Sequence, residues 1–130
     1  HQVVRRQRQM CIRDRLKYIN KQEKEIPFWN LITQPYSSLE DRCKNLAKSI
    51  SFSTSIEKGE SVIGGGTLPD VTLESPILLI NNEKTVDTVN QLIKNDIPII
   101  PRIIKDQVCL DLRSVFQNQD DIIVQALNNS

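Results

Sequence analysis

The chain is poor in the residues from which many catalytic and metal sites are built. Its 130 residues include one histidine, three cysteines and four glycines, and only 5% are aromatic. The histidine is His1, so neither a Ser/His/Asp triad nor a histidine metal site has an imidazole to draw on further along. Cys11, Cys43 and Cys109 are odd in number and far apart, which argues against a disulfide framework or a zinc site and fits reduced thiols. Long apolar runs are lacking too. Ile77 to Ile80 is short, and Ile97 to Ile104 is broken by Pro98, Pro101 and Arg102; a membrane span needs ~18 residues. Nothing reads as a positive-then-apolar secretory leader. The expectation is a cytoplasmic protein of one domain, with 38% hydrophobic and 25% charged residues.

Glycine is scarce and concentrated. Three of the four stand together as Gly64-Gly65-Gly66, followed by Thr67-Leu68-Pro69-Asp70. Glycines gather where the backbone needs positive φ or where something approaches it closely. Pro69 fixes the exit and biases Leu68 to an extended conformation. The run has no lysine after Gly66, so it departs from a P-loop, and it lacks the spaced glycines of a dinucleotide fold. A structural loop, a close contact with another domain or subunit, a substrate-cleft wall and a phosphate cradle all remain open for Gly64, Gly65, Gly66 and Thr67.

Charge is uneven. Residues 1–17 carry a net +5 and residues 18–130 a net −4, against +1 overall. The basic start reads as an arm for nucleic acid or as a solvated helix. Met10-Cys11-Ile12-Arg13-Asp14-Arg15 also resembles a translated sequencing-library adapter. Residues 1–15 are therefore expected to be an adapter-derived artefact or a disordered basic arm, with native sequence from Leu16. Residues 16–36 then form the end of a linker helix and an apolar anchor, Ile26-Pro27-Phe28-Trp29, with Pro27 near a first helical position. Residues 37–130 form a small domain.

Within that domain the spacing of Leu39, Cys43, Leu46, Ala47 and Ile50 predicts a helix over 37–49, opened by a Ser37/Glu40 capping box. Ile50 to Ile56 alternates as a strand, and Lys58-Gly59-Glu60 reads as a turn. Val71 to Leu73 is β-prone, and Pro76 opens a strand over 77–80. Thr85 caps a helix carrying Val86, Val89, Leu92 and Ile93, with Lys94 in its last turn and Pro98 beyond it. Ile99, Ile100, Ile103 and Ile104 form one strand. Lys105-Asp106-Gln107 turns into a second with Val108, Leu110 and Leu112. Gln119 to Asp121 begin a last helix. The expected fold is α+β, a small, mostly antiparallel sheet with helices on one face.

Few polar residues stand out. Arg102 interrupts an isoleucine-rich strand and either faces solvent or reaches a buried anion. Arg113 reads as a salt bridge or a solvated strand end, and Asp120-Asp121 as a helix N-terminus. Phe28 and Trp29 read as a core or interface anchor. Each lysine lies in a polar context, away from an apolar pocket that would lower its pKa.

Ile63-Gly64-Gly65-Gly66-Thr67-Leu68-Pro69 and Pro98-Ile99-Ile100-Pro101-Arg102-Ile103-Ile104, leading to Leu110-Asp111-Leu112-Arg113-Ser114-Val115, resemble the C-terminal part of bacterial selenocysteine synthases, the L-seryl-tRNA(Sec) selenium transferases. Glu25-Ile26-Pro27-Phe28-Trp29 and the helix through Asp41-Arg42-Cys43 fit the same region. The resemblance covers about residues 16–128. It implies the small C-terminal domain of a fold type I pyridoxal-phosphate enzyme. The parent would be a homo-oligomer converting seryl-tRNA(Sec) to selenocysteinyl-tRNA(Sec) with selenophosphate. It also implies that the cofactor lysine, the selenophosphate arginines and the tRNA-binding segment lie upstream of Leu16. On that reading no residue here is catalytic, cofactor-binding or metal-ligating, and the chain alone is inactive. Gly64, Gly65, Gly66, Thr67 and Arg102 remain cleft or interface candidates. A related pyridoxal-phosphate lyase acting on a small amino or sugar acid is an alternative, as is a non-enzymatic α+β interaction module.

Overall fold

The computed structural model describes residues 2–63 and 71–129, and the backbone alone for residues 2–8 and Met10. The chain divides into two compact units, His1–Thr33 and Gln34–Ser130. Among the described residues no helix is long and apolar enough to cross a membrane.

The first unit holds α1 (Gln2–Ile19), a 3-10 turn (Glu23–Glu25) and α2 (Pro27–Ile32). Leu16, Tyr18 and Ile19 lie in the last turns of α1. Lys21 then reverses the chain with φ 57°. Pro27 occupies the first turn of α2, where its missing N–H costs no helical bond. The Tyr18 and Trp29 rings stack with centroids 5.8 Å apart, and Lys17 Nζ lies 3.0 Å from Glu25 Oε2. Trp29 is half-buried and Phe28 exposed.

The second unit runs α3 (Tyr36–Ser49), β1 (Ser53–Val62), β2 (Thr72–Asn81), α4 (Thr85–Lys94), β3 (Arg102–Ile104), β4 (Gln107–Asp111) and α5 (Asp120–Asn128), with 3-10 turns at Leu112–Ser114 and Gln117–Gln119. The four strands form one sheet in the order β1-β2-β4-β3, and every pairing is antiparallel.

Two-residue periodicity divides the sheet into faces. Leu78 pairs with Leu110 and Ile80 with Val108. These four pack with Leu39, Cys43 and Leu46 of α3, Leu92 of α4, and Ile123, Ala126 and Leu127 of α5. The three helices thus supply the core from one face, as the pattern predicts. Ile77, Leu79 and Cys109 form a separate buried cluster on the opposite face. Helix 37–49 is present as α3, whose apolar positions fall three and four residues apart and so share one side.

Several local expectations fail for identifiable reasons. The Ser37/Glu40 capping box does not form; Pro35 is the cap residue of α3 and no side chain caps it. Thr85 is likewise not a cap. It is the first residue of α4, and its hydroxyl donates to the carbonyls of Asn82 and Asp106. Lys58-Gly59-Glu60 is not a turn but the middle of β1. Gly59 is needed there because a Cβ would collide with Cγ1 of Ile77 across the ladder. The strand over 50–56 starts only at Ser53, since Ile50 closes α3.

Val71 to Leu73 and the 77–80 run belong to one strand. Pro76 interrupts them in sequence, yet β4 pairs with β2 only from Ile77 onward, so the proline lies where that side asks for no donor. Ile99 and Ile100 stay outside β3. The Ile99 N–H donates instead to the Leu92 carbonyl at 2.9 Å. The hairpin after them is present, turning through Lys105 and Asp106 at φ 50° and 61°, the left-handed pair that a two-residue hairpin requires. Leu112 leaves the strand and opens the 3-10 turn. The last helix starts at Asp120, with both aspartates in its first turn.

Candidate functional site

Gly64, Gly65, Gly66 and Thr67 lie outside the described residues. The fifth candidate, Arg102, sits on edge strand β3 opposite Cys109, on the face away from the helices. Its Nη2 lies 3.2 Å from Asp111 Oδ2 while the side chain remains 45% exposed, and its Nη1 donates to the Glu60 carbonyl at 3.3 Å. Both alternatives read from the sequence are thus partly met. Arg102 is on the solvent side, and the anion it reaches belongs to the chain itself.

Asp111 is the centre of that cluster. It ends β4 and accepts from the Ser61 hydroxyl on β1, the Ser75 hydroxyl on β2 at 2.8 Å, Arg102 on β3, and the Arg113 backbone N–H at 3.1 Å. One carboxylate therefore ties all four strands and caps the 3-10 turn that follows. Its acceptor sites are spent on the fold.

Sequence reasoning missed the second polar cluster. Arg42, on the inner side of α3, is buried. It donates to both Asp120 oxygens, to Gln34 Oε1 at 3.0 Å, and to the Leu112 and Val115 carbonyls at 3.3 and 3.2 Å. Arg113 is not a solvated strand end. It is buried, and it donates to the Gln34 carbonyl at 3.0 Å and the Glu74 carbonyl at 2.7 Å. A buried guanidinium is tolerable only when such acceptors surround it. The one signal in the sequence was position, since Arg42 falls between Leu39 and Cys43 on the apolar side of α3.

The two buried thiols are unreactive near neutral pH. Burial pushes the Cys43 thiol up to about 12, and burial also raises Cys109. Neither is a thiolate near neutral pH, so neither is a nucleophile there. Among the described residues no His, Cys, Asp or Glu cluster could hold a metal.

A pyridoxal-phosphate anchor needs a lysine whose amine is partly dehydrated, so that its neutral form is within reach. Lys17 is half-buried but faces Glu25. The other lysines are exposed. Lys58 moves in the wrong direction, since its hydrogen bond to the Glu74 carboxylate raises its pKa.

Fold and clusters define a small α+β domain whose described buried polar groups serve the architecture. Residues 9–116 match the family described as L-seryl-tRNA selenium transferase, and the chain belongs to that family. It is 32% identical over 120 residues to the L-seryl-tRNA(Sec) selenium transferase of Clostridium perfringens, covering 85% of this chain and 26% of that protein. The Campylobacter jejuni enzyme of the same name is 28% identical over 111 residues, covering 85% and 24%. A Clostridium botulinum relative is 29% identical over 119 residues, covering 83% and 25%. The chain spans about a quarter of the length of the curated relatives it matches.

Proposed function

We propose that this chain is the small C-terminal domain of a selenium transferase of fold type I. In the parent, seryl-tRNA(Sec) becomes selenocysteinyl-tRNA(Sec), with selenophosphate as selenium donor and pyridoxal phosphate as electron sink. The observation that carries the reading is the lopsided coverage, 85% of this chain against 26% of its Clostridium perfringens relative. The setting of the lysines supports it, because a cofactor anchor then belongs to the larger domain. On this reading residues 37–130 are the small domain, residues 16–36 the linker and apolar anchor, and residues 1–15 an adapter-derived artefact or a basic arm. The parent is a cytoplasmic homo-oligomer, and the chain by itself is inactive.

The reading is tested in two ways. Genomic DNA upstream of the codon for Leu16 is expected to continue in frame into transferase sequence with a cofactor lysine. A stop codon and an independent start there would refute the parentage. Separately, the full chain mixed with pyridoxal phosphate and treated with borohydride is expected to give only scattered, substoichiometric lysine adducts by peptide mapping. A stoichiometric adduct at one lysine would show that the chain carries its own cofactor site.

A further inference from the structure

Helix α3 begins without a side-chain cap. Pro35 precedes it and accepts only the Leu39 N–H, at 3.2 Å. The residue before Pro35 is gripped instead. Gln34 Oε1 accepts from Arg42 Nη1 at 3.0 Å, and the Gln34 carbonyl accepts from Arg113 Nη1 at 3.0 Å. Both arginines are buried, at 6% and 7% exposure. Within the same unit Asp120, Leu112 and Val115 hold further donors of Arg42, and the Glu74 carbonyl holds Nη2 of Arg113. Removing an acceptor from a buried cation costs more than an ordinary hydrogen bond, because the donor is left dry and open. Gln34 is thus held from α3 on one side and from the Leu112–Ser114 turn on the other. Its neighbours Thr33 and Pro35 are exposed. The compact unit that contains α3 begins at this residue.

We propose that Gln34 is a positioning residue that sets the N-terminal boundary of the 34–130 unit. The double arginine grip substitutes for the missing cap, fixes the entry of α3, and stops unravelling of residues 1–33 from spreading into the helix. The chemistry says which replacement works. Glutamate at 34 keeps a side-chain oxygen for Arg42 and the backbone carbonyl for Arg113, whereas alanine keeps the carbonyl alone. The inference rests on the fold and stands apart from the selenium transferase reading.

The test is amide hydrogen exchange with limited proteolysis on the full chain. Gln34→Ala is expected to speed exchange at Leu39 and the first turn of α3 by about tenfold or more, with β2 and β4 unchanged. Gln34→Glu is expected to restore protection. Unchanged exchange in Gln34→Ala, or equal loss in both variants, would overturn the proposal. In the wild-type chain the first protease cuts are expected on the N-terminal side of Gln34. A first cut inside α3 would also overturn it, and this readout does not depend on any variant folding.

Discussion

Arg42 and Asp120, 78 positions apart in the chain, meet as a two-pronged ion pair, with Nη2 2.6 Å from Oδ1 and Nε 3.1 Å from Oδ2. The pair fastens the start of α5 to the middle of α3. Breaking a buried pair leaves one charge uncompensated, at a cost of roughly 3–5 kcal/mol. Arg42→Ala is therefore expected to remove much of a stability that is about 5–15 kcal/mol for a typical domain. Urea unfolding followed by circular dichroism measures it. A loss below about 1 kcal/mol would place the pair with ordinary surface bridges.

Gly59 and Ile77 make a second cross-strand dependence. Gly59→Ala is expected to cost about 1–3 kcal/mol, as overpacking does, because the new methyl meets a side chain that is itself buried. Ile77→Ala removes the obstructing carbon. The double variant should lose less than the sum of the two single losses, and strict additivity in denaturant midpoints would contradict the contact.

The cysteines give a pH dependence with a defined sign. Folding raises the Cys43 pKa from 9.0 to about 12, so above pH 9 the unfolded chain releases a proton that the folded chain keeps. This contribution is fully present below the unfolded pKa and is lost as pH climbs toward the folded one. Cys109 shifts in the same direction. Urea midpoints are expected to fall as pH rises above about 9. At neutral pH iodoacetamide should label only the exposed Cys11 in the native chain. Native labelling of Cys43 as fast as in the unfolded chain would contradict its burial.

The β3–β4 turn can be improved. Lys105 and Asp106 both adopt positive φ, which costs a residue with a Cβ about 1–2 kcal/mol, less for aspartate, whose short polar side chain tolerates it. Lys105→Asn with Asp106→Gly is expected to stabilise the chain by about 1 kcal/mol. Thermal melts check this, and an unchanged or lowered Tm would mean the turn carries no such strain.

What the sequence disclosed follows from range. The helix over Leu39, Cys43 and Leu46 and the hairpin around Lys105-Asp106 are written in neighbouring residues, through periodicity and turn geometry. The middle of β1 was misread because Gly59 looks like punctuation until Ile77 is seen across the ladder. Pro76 misled similarly, since its tolerance depends on where β4 stops. The two buried arginines were least legible. Arg42 gathers acceptors at positions 34, 112, 115 and 120, and no local pattern announces such a convergence. Arg102 stands out in the sequence only by interrupting a run of isoleucines. Its partner Asp111 gave no signal of the number of bonds it collects.

The sheet's uneven strand lengths have a mechanical outcome. β1 and β2 pair over ten positions, from Ser53–Asn81 to Val62–Thr72, while β4 supports β2 only over Ile77 to Ile80. The outer half of the β1–β2 ribbon thus runs beyond its pairing with β4, and a two-stranded ribbon alone is marginal in water. Its stay is the Arg113 guanidinium at the Glu74 carbonyl, with Asp111 bracing Ser61 and Ser75 beside it. The outer part of this ribbon is therefore braced from its root, by side chains at and just beyond the end of β4.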